Sequence, residues 1–195
     1  LLKKNGFKDF ILCLGYKSQI IINYLKNKNN LDINIQYSIE QKQMGTAGAL
    51  KNAFKLLPNT FLLVNGDTFF DCSISNLLIY HNELKLLNPN IICTLTSFWV
   101  KKLSDYGAIQ TNNENIITGF NEKNINNKGR AYAGIGIFEK KILDYINFNE
   151  KVSLEQDTIP LLINNKKLLY NFNCSGKIFD MGTPLGLDKF KNYIK

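Results

Sequence analysis

The sequence predicts an α/β fold in three layers: a mostly parallel mixed sheet between helices, with a smaller and more antiparallel lobe built onto it. Three observations carry that prediction. Apolar runs alternate with amphipathic helical stretches from Asp9 to Thr96, the pattern of strand, helix, strand units. Phe61–Val64 is continuously apolar, as suits a strand covered on both faces. From Trp99 onward the strands shorten and polar turns such as Asn112-Asn-Glu-Asn115 separate them, which is the grain of antiparallel hairpins.

Taken in order, Asp9-Phe-Ile-Leu-Cys-Leu14 reads as a strand ending in Gly15-Tyr16-Lys17. Ser18 can cap a helix whose apolar positions Ile21, Ile22 and Leu25 recur at helical spacing. Asn29 to Asp32 make a polar turn, and Ile33, Ile35, Tyr37 and Ile39 share one face of the next strand. Gln41 to Gly48 leads into a helix over Ala49–Leu57, with Leu50, Ala53, Phe54 and Leu57 on one stripe and Pro58 as its stop. The strand at Phe61–Val64 then delivers Asp67 to its carboxyl end. Asn65-Gly66 also fits a two-residue hairpin turn leading to Phe69-Phe70, although Asp71-Cys-Ser-Ile-Ser75 soon interrupts that second arm.

Ser75–Leu87 reads as an amphipathic helix carrying the single histidine, His81, and Ile91–Thr96 as a strand. The second lobe has strands at Gly107–Thr111, Ile116–Glu122 and Tyr132–Phe138, with a loop from Asn124 to Gly129. A short helix over Glu139–Ile146 and one over Leu154–Ile163, starting or bending near Pro160, follow. Strands at Leu168–Asn173 and Lys177–Asp180 precede a last helix, Pro184–Ile194, capped by Thr183. No linker or repeat divides the 195 residues, so a single domain with a substantial core is expected.

Composition narrows the function. No apolar run reaches the ~18 residues of a membrane span, and Leu1-Leu-Lys-Lys-Asn-Gly6 is not followed by a signal-cleavage pattern. A soluble, cytoplasmic protein is the expectation. Cys13, Cys72, Cys93 and Cys174 are widely spaced without a C-x-x-C pair, which argues against a zinc site and for buried free thiols, Cys13 and Cys93 lying inside apolar runs. The net charge is +8, but Arg130 is the only arginine and the lysines are scattered. Sequence-specific nucleic-acid binding is not expected, and the excess of lysine favours phosphorylated ligands.

Three constellations can carry chemistry. Asp67 and Asp180 each end an apolar strand, and ligands in open α/β sheets gather at the carboxyl ends of strands. Two carboxylates with open positions suit Mg²⁺, which keeps waters and recruits phosphate oxygens; either Asp alone more often simply caps the turn at a strand end. Met44-Gly-Thr-Ala-Gly-Ala49 puts small residues at a strand-to-helix junction, open to an anion or polar ring at the helix N-terminus or simply to an N-cap at Thr46 with glycine packing. Beside Tyr106-Gly107, Glu122-Lys123 can bind a hydroxyl and a phosphate together, or be solvated surface. His81 has no evident partner, which excludes a Ser-His-Asp arrangement.

In their order, Gly15-Tyr-Lys17, Met44-Gly-Thr-Ala-Gly-Ala-Leu50, Val64-Asn-Gly-Asp-Thr68, Asp105-Tyr-Gly107, Phe120-Asn-Glu-Lys123, Ala133-Gly-Ile135 and Phe179-Asp-Met-Gly-Thr-Pro184 resemble the sugar-phosphate nucleotidyltransferase family. Asn65-Gly-Asp-Thr-Phe-Phe70 and Ser153-Leu-Glu155 look most like the members that make GDP-D-glycero-D-manno-heptose from heptose 1-phosphate, or their mannose 1-phosphate relatives. The resemblance implies a Rossmann-like nucleotidyltransferase fold and a reaction in which an NTP, with GTP favoured, and a sugar 1-phosphate give an NDP-sugar and pyrophosphate for surface polysaccharide. It implies that Asp67 and Asp180 hold Mg²⁺, with Asp67 and Lys123 catalytic. Gly45, Thr46, Ala47, Asn65 and Gly66 would meet the nucleotide, and Gly107, Glu122, Lys123 and Gly134 the sugar phosphate. A homo-oligomer is compatible with it.

Two departures bear on that expectation. Relatives commonly carry Asn where Tyr132 stands. The family also begins with a strand and a Gly-x-Gly-Thr-Arg loop, then a Pro-Lys-Pro segment, and this sequence contains neither. The expected domain is therefore N-terminally incomplete, with an apolar sheet edge exposed. The alternative is a sugar-nucleotide-binding or regulatory relative that performs no chemistry.

Overall fold

The computed structural model describes residues 1–28, 32–103, 107–121 and 128–194. After a 3₁₀ turn at Lys3–Asn5 come β1 (Asp9–Leu14), α1 (Ser18–Lys26), β2 (Asn34–Ile39), α2 (Gly45–Asn52), β3 (Thr60–Val64), β4 (Thr68–Phe70) and α3 (Ile74–Leu87). The second half holds β5 (Ile91–Val100), β6 (Ala108–Thr111), β7 (Ile117–Asn121), β8 (Gly129–Glu139), a 3₁₀ helix at Lys140–Tyr145, a π-helical turn at Leu154–Thr158, α4 (Ile159–Asn164), β9 (Leu168–Asn173), β10 (Ile178–Asp180) and α5 (Pro184–Tyr193).

β1 and β2 pair in parallel from Asp9↔Asn34 to Leu14↔Ile39, the expected strand, helix, strand unit. The main sheet runs β7-β6-β8-β5-β9, with β3 also on β8. β8 is antiparallel to both β3 and β5, and β9 is parallel to β5. Thus β3, β5 and β9 run one way, and β8 alone is reversed among them. β6 and β7 extend the first half of β8 as the smaller antiparallel lobe. The hairpin reading of Asn65-Gly66 fails, because β4 turns away from β3 and pairs with β10.

Alternation along β3 explains how the sheet is covered. Phe61 and Leu63 face a core that includes Leu50, Leu95, Phe138 and Ile159. Leu62 and Val64 face a second core with Phe70, Ile74, Leu77 and Ile137. α2 and α4 lie on the first side and α3 on the second, giving three layers. At the edges, among the described residues, β3 has β8 as its single strand partner and β1 has β2.

Several sequence-based expectations need correction. Ser18 is the first helical residue, and the cap position falls to Lys17 at φ 57 without a side-chain cap. Ile22 is buried but Ile21 is 41% exposed, because the two-stranded sheet beside α1 offers it little surface. Cys13 is exposed rather than buried, since β1 has β2 as its single strand partner among the described residues. α2 starts at Gly45, ahead of the predicted Ala49, and ends before Pro58. Pro160 does start a helix, but the residues ahead of it wind as a π-turn capped by Ser153.

Candidate active site

The two acids meet through the β4–β10 ribbon. Its register is Phe70↔Ile178, Phe69↔Phe179 and Thr68↔Asp180, and beyond the last pair the Met181 N–H donates to the Asp67 carbonyl at 2.6 Å. Asp67 and Asp180, 113 positions apart, therefore flank one ribbon end. A Cβ on Gly182 would lie 3.1 Å from Asp180 Oδ1 and 3.4 Å from Asp67 Oδ2, so both carboxylates converge on that glycine. The Gly182 N–H donates to Asp180 Oδ1 at 2.9 Å, and the Thr68 hydroxyl to Asp67 Oδ1 at 3.3 Å. Both acids are exposed, which leaves room for further oxygen ligands.

A glycine bulge forms the adjoining wall. Gly134 takes φ 70 where β8 slips its register against β5, a conformation that suits glycine. The Asn65 N–H donates to the Gly134 carbonyl at 2.8 Å, and the Asn65 amide lies over Gly134, 2.9 Å from where its Cβ would be. Gly66 stands open, with nothing within 4 Å of its Cβ position. One strand away, Gly107 accepts from the Tyr132 N–H at 2.8 Å, and a Cβ there would meet the Phe120 ring at 2.8 Å and Glu155 Oε2 at 3.5 Å. Tyr132 packs edge-on against Phe120, with ring centroids 5.9 Å apart. Burial first, then the Glu155 carboxylate, hold its hydroxyl well above the ordinary tyrosine pKa, so it stays neutral.

Gly45, Thr46 and Ala47 open α2 as predicted for a close approach, but the close neighbour is the chain itself. The Ala47 and Gly48 N–H groups both donate to the Val152 carbonyl, at 3.0 and 3.2 Å, and the Val152 N–H donates to Met44 O at 2.8 Å. The Thr46 hydroxyl accepts from the Leu154 N–H at 2.8 Å instead of capping the helix. A Cβ on Gly45 would come within 2.5 Å of Val152 O. Sequence reasoning missed this brace and the place of Glu155 beside Gly107. The Ser153-Leu-Glu155 motif was the signal, but its partners are remote in sequence. Glu122, Lys123 and Tyr106 lie outside the described residues.

His81 is the other correction, because it does have partners. Its ring is fully buried, with Nδ1 2.9 Å from Thr94 Oγ1 and Nε2 3.1 Å from Glu139 Oε1. Lys85 donates to both Glu139 oxygens at 2.8 Å, and the Thr60 hydroxyl to Oε1 at 2.8 Å. This group joins the start of β3 to the end of β8, opposite the acid pair, and so is structural. Among the described residues no group of three or more His, Cys, Asp or Glu side chains could hold a metal ion, and no helix is long and apolar enough to cross a membrane.

Parallel-running β3, β5 and β9 with one reversed strand among them, covered on both faces by helices and with Asp67 beyond the end of β3, define a Rossmann-like α/β protein. The sequence matches the nucleotidyl transferase family model over residues 1–194. It is 34% identical over 188 residues to D-glycero-alpha-D-manno-heptose 1-phosphate guanylyltransferase of Campylobacter jejuni, covering 94% of this chain and 77% of that one. To the mannose-1-phosphate guanyltransferase of Debaryomyces hansenii it is 30% identical over 190 residues, covering 94% of this chain but 51% of the other. Among solved structures, HddC from Yersinia pseudotuberculosis complexed with GMP-PN superimposes with a TM-score of 0.82 at 25% identity, covering 100% of this chain and 82% of that one. The chain belongs to the nucleotidyl transferase family and is a nucleotidyltransferase.

Proposed function

We propose that the protein transfers GMP from GTP to a heptose or mannose 1-phosphate, giving a GDP-sugar and pyrophosphate, in the cytoplasm and in the service of surface polysaccharide. The observation that carries the reading is the convergence of Asp67 and Asp180 on Gly182, in a chain whose similar relatives carry guanylyltransferase names. The donor set fits Mg²⁺: oxygen-only, two carboxylates, and exposed enough that waters and phosphate oxygens would supply the remaining ligands. Held there, Mg²⁺ supplies charge compensation for the α-phosphate and the departing pyrophosphate.

This chain's own residues do the rest by position. The β4–β10 ribbon fixes the two acids against each other before substrate arrives, so little reorganisation accompanies the reaction. Gly134, Asn65 and Gly66 leave a low wall for a nucleotide, and Gly107 with Glu155 offers a polar edge to a sugar hydroxyl. Lys123 is the cation proposed for the sugar phosphate, orienting its oxygen for in-line attack on the α-phosphorus. The test is release of pyrophosphate by the protein expressed from its full reading frame, with Mg²⁺, each NTP in turn, and D-glycero-D-manno-heptose 1-phosphate or mannose 1-phosphate. GTP with one of these sugars is expected to give the fastest turnover. No pyrophosphate with any pairing would overturn the reading.

A further inference from the structure

Two cysteines far apart in sequence meet at the other end of the ribbon that carries the acids. Cys72 follows β4 by two residues, and Cys174 follows β9 directly. Both side chains belong to the second core, Cys72 as a buried member and Cys174 packed at its margin, and Cys174 is near enough to raise the Cys72 pKa, while its own thiol donates to Ser175 O at 3.6 Å. The backbones around them are tied as well. The Asp71 N–H donates to Lys177 O at 2.9 Å, and the Cys174 N–H to Ser97 O at 2.8 Å. Gly176 lies so tightly against the Asp71 carbonyl that no Cβ fits there. From this junction the ladder runs through Phe70↔Ile178 and Phe69↔Phe179 to Thr68↔Asp180. The thiols thus sit at the root of the ribbon and the carboxylates at its tip.

We propose that Cys72 and Cys174 are a modification site, closing to a reversible disulfide that clamps the root of the β4–β10 ribbon. The oxidant is a small-molecule disulfide of the glutathione class. Cys174 is half-buried whereas Cys72 is 6% exposed, so the Cys174 thiolate attacks first. It forms a mixed disulfide as the oxidant's S–S bond breaks and one glutathione thiolate leaves. Cys72, losing its proton to solvent, then attacks Cys174 Sγ, forms the protein disulfide and expels the second thiolate. The protein loses two thiol protons and two electrons, and one oxidised glutathione becomes two reduced ones.

Two thiols in a core often serve only as small apolar side chains. Here the two thiols are neighbours in one core, and one of them reaches solvent. Burial, then Cys174 and Asp71 beside it, push the Cys72 thiol up to about 12, so its thiolate is scarce and the second step is the slow one. Cys93 is fully buried and Cys13 stands exposed. They serve as internal controls for access.

The experiment is peptide mapping by mass spectrometry of the reduced, folded protein after incubation with oxidised glutathione, without denaturant. The expected product links the Cys72 peptide to the Cys174 peptide and lowers free thiols from four to two. Dithiothreitol should reverse it, and Cys72→Ser and Cys174→Ser should each abolish it. The thermal midpoint of the oxidised protein should rise by several degrees over the reduced one, a shift that Cys72→Ser lacks. A stable glutathione adduct on Cys174 that never resolves would overturn the proposal, as would a first link made through Cys13. Because the readout is a covalent bond, it is independent of turnover: normal pyrophosphate release without the disulfide defeats this inference alone, and the disulfide without pyrophosphate release defeats the proposed activity alone.

Discussion

Asp67 Oδ2 and Asp180 Oδ1 stand 3.4 and 3.1 Å from the point a Cβ would occupy on Gly182, so a single methyl group there would intrude on both carboxylates. Gly182 is not among the glycines at positive φ, and alanine is therefore tolerable to the backbone. Gly182→Ala is expected to keep the fold by circular dichroism while weakening Mg²⁺-dependent turnover about tenfold or more. Turnover and Mg²⁺ dependence equal to the parent protein would mean that the space between the acids is not used.

Removing either charge should cost more. Asp67→Asn and Asp180→Asn each take away a hard oxygen anion, and metal-borne charge stabilisation is worth several kcal/mol, or roughly two to three orders of magnitude in rate. Both acids are exposed, so the folded state should survive, as an unchanged urea midpoint would show. Full turnover in one variant would remove that residue from the metal site.

α2 depends on its glycines for packing. With Gly45 at φ 71 and Val152 O at 2.5 Å from its Cβ position, Gly45→Ala combines backbone strain with a clash against carbonyl oxygen, which cannot swing aside as a side chain tip would. A loss of about 1–3 kcal/mol is expected from chemical denaturation. Thr46→Val, which leaves the Leu154 N–H without its acceptor, should cost about 1 kcal/mol. Stability unchanged in both variants would show that the segment at Val152 is not held by α2.

Much of this architecture was legible in the chain. Phe61–Val64 announced a doubly covered strand because no polar residue interrupts it, and Thr183-Pro184 announced a helix start because both residues are pre-set for one. β9 fell on the predicted Leu168–Asn173 for the same local reasons. The acid pair was legible as two strand ends, although the antiparallel β4–β10 pairing that joins them was not. What escaped depends on long-range partners. Gly45-Thr-Ala-Gly48 reads as a loop until Val152 supplies the acceptor that holds it helical. Cys13 reads as core until the sheet beside it ends. His81 gains its role from Thr94 and from Glu139, the latter 58 residues away.

Tyr132 offers a test of the core beside Gly107. Among the described residues its buried hydroxyl has no hydrogen-bond partner, and an unpaired buried hydroxyl costs about 1–3 kcal/mol. Tyr132→Phe keeps the ring against Phe120 and removes only that oxygen, so it should raise stability by about 1 kcal/mol. A destabilisation of similar size, measured by urea unfolding, would show that the hydroxyl is satisfied in solution.

The His81, Glu139 and Lys85 group predicts acid sensitivity, and its two titrating members push the same way. Burial lowers the His81 pKa from 6.5 despite the opposing pull of Glu139, so the folded ring resists a proton that the unfolded chain accepts. Its stabilisation is fully present above about pH 6.5 and is lost as pH falls through the lower folded value. Glu139 feels burial first, which raises its pKa, but hydrogen bonds from Lys85, His81 and Thr60 outweigh that and leave it below 4.5. Its contribution is present above the unfolded value and fades as pH falls toward the folded one. Stability measured by denaturant should therefore decline as pH falls below about 6.5 through His81, and further below about pH 4.5 through Glu139. His81→Leu should flatten the first limb while leaving the second. Glu139→Gln should cost about 1–3 kcal/mol at neutral pH, because Lys85 loses its anion and the buried imidazole loses a charged partner. A parent protein whose stability stays level as pH falls from about 7 through 6.5 toward 4.5 would show that His81 takes up no proton on unfolding, and the network would then be a fixed spacer between β3 and β8 rather than an acid-sensitive one.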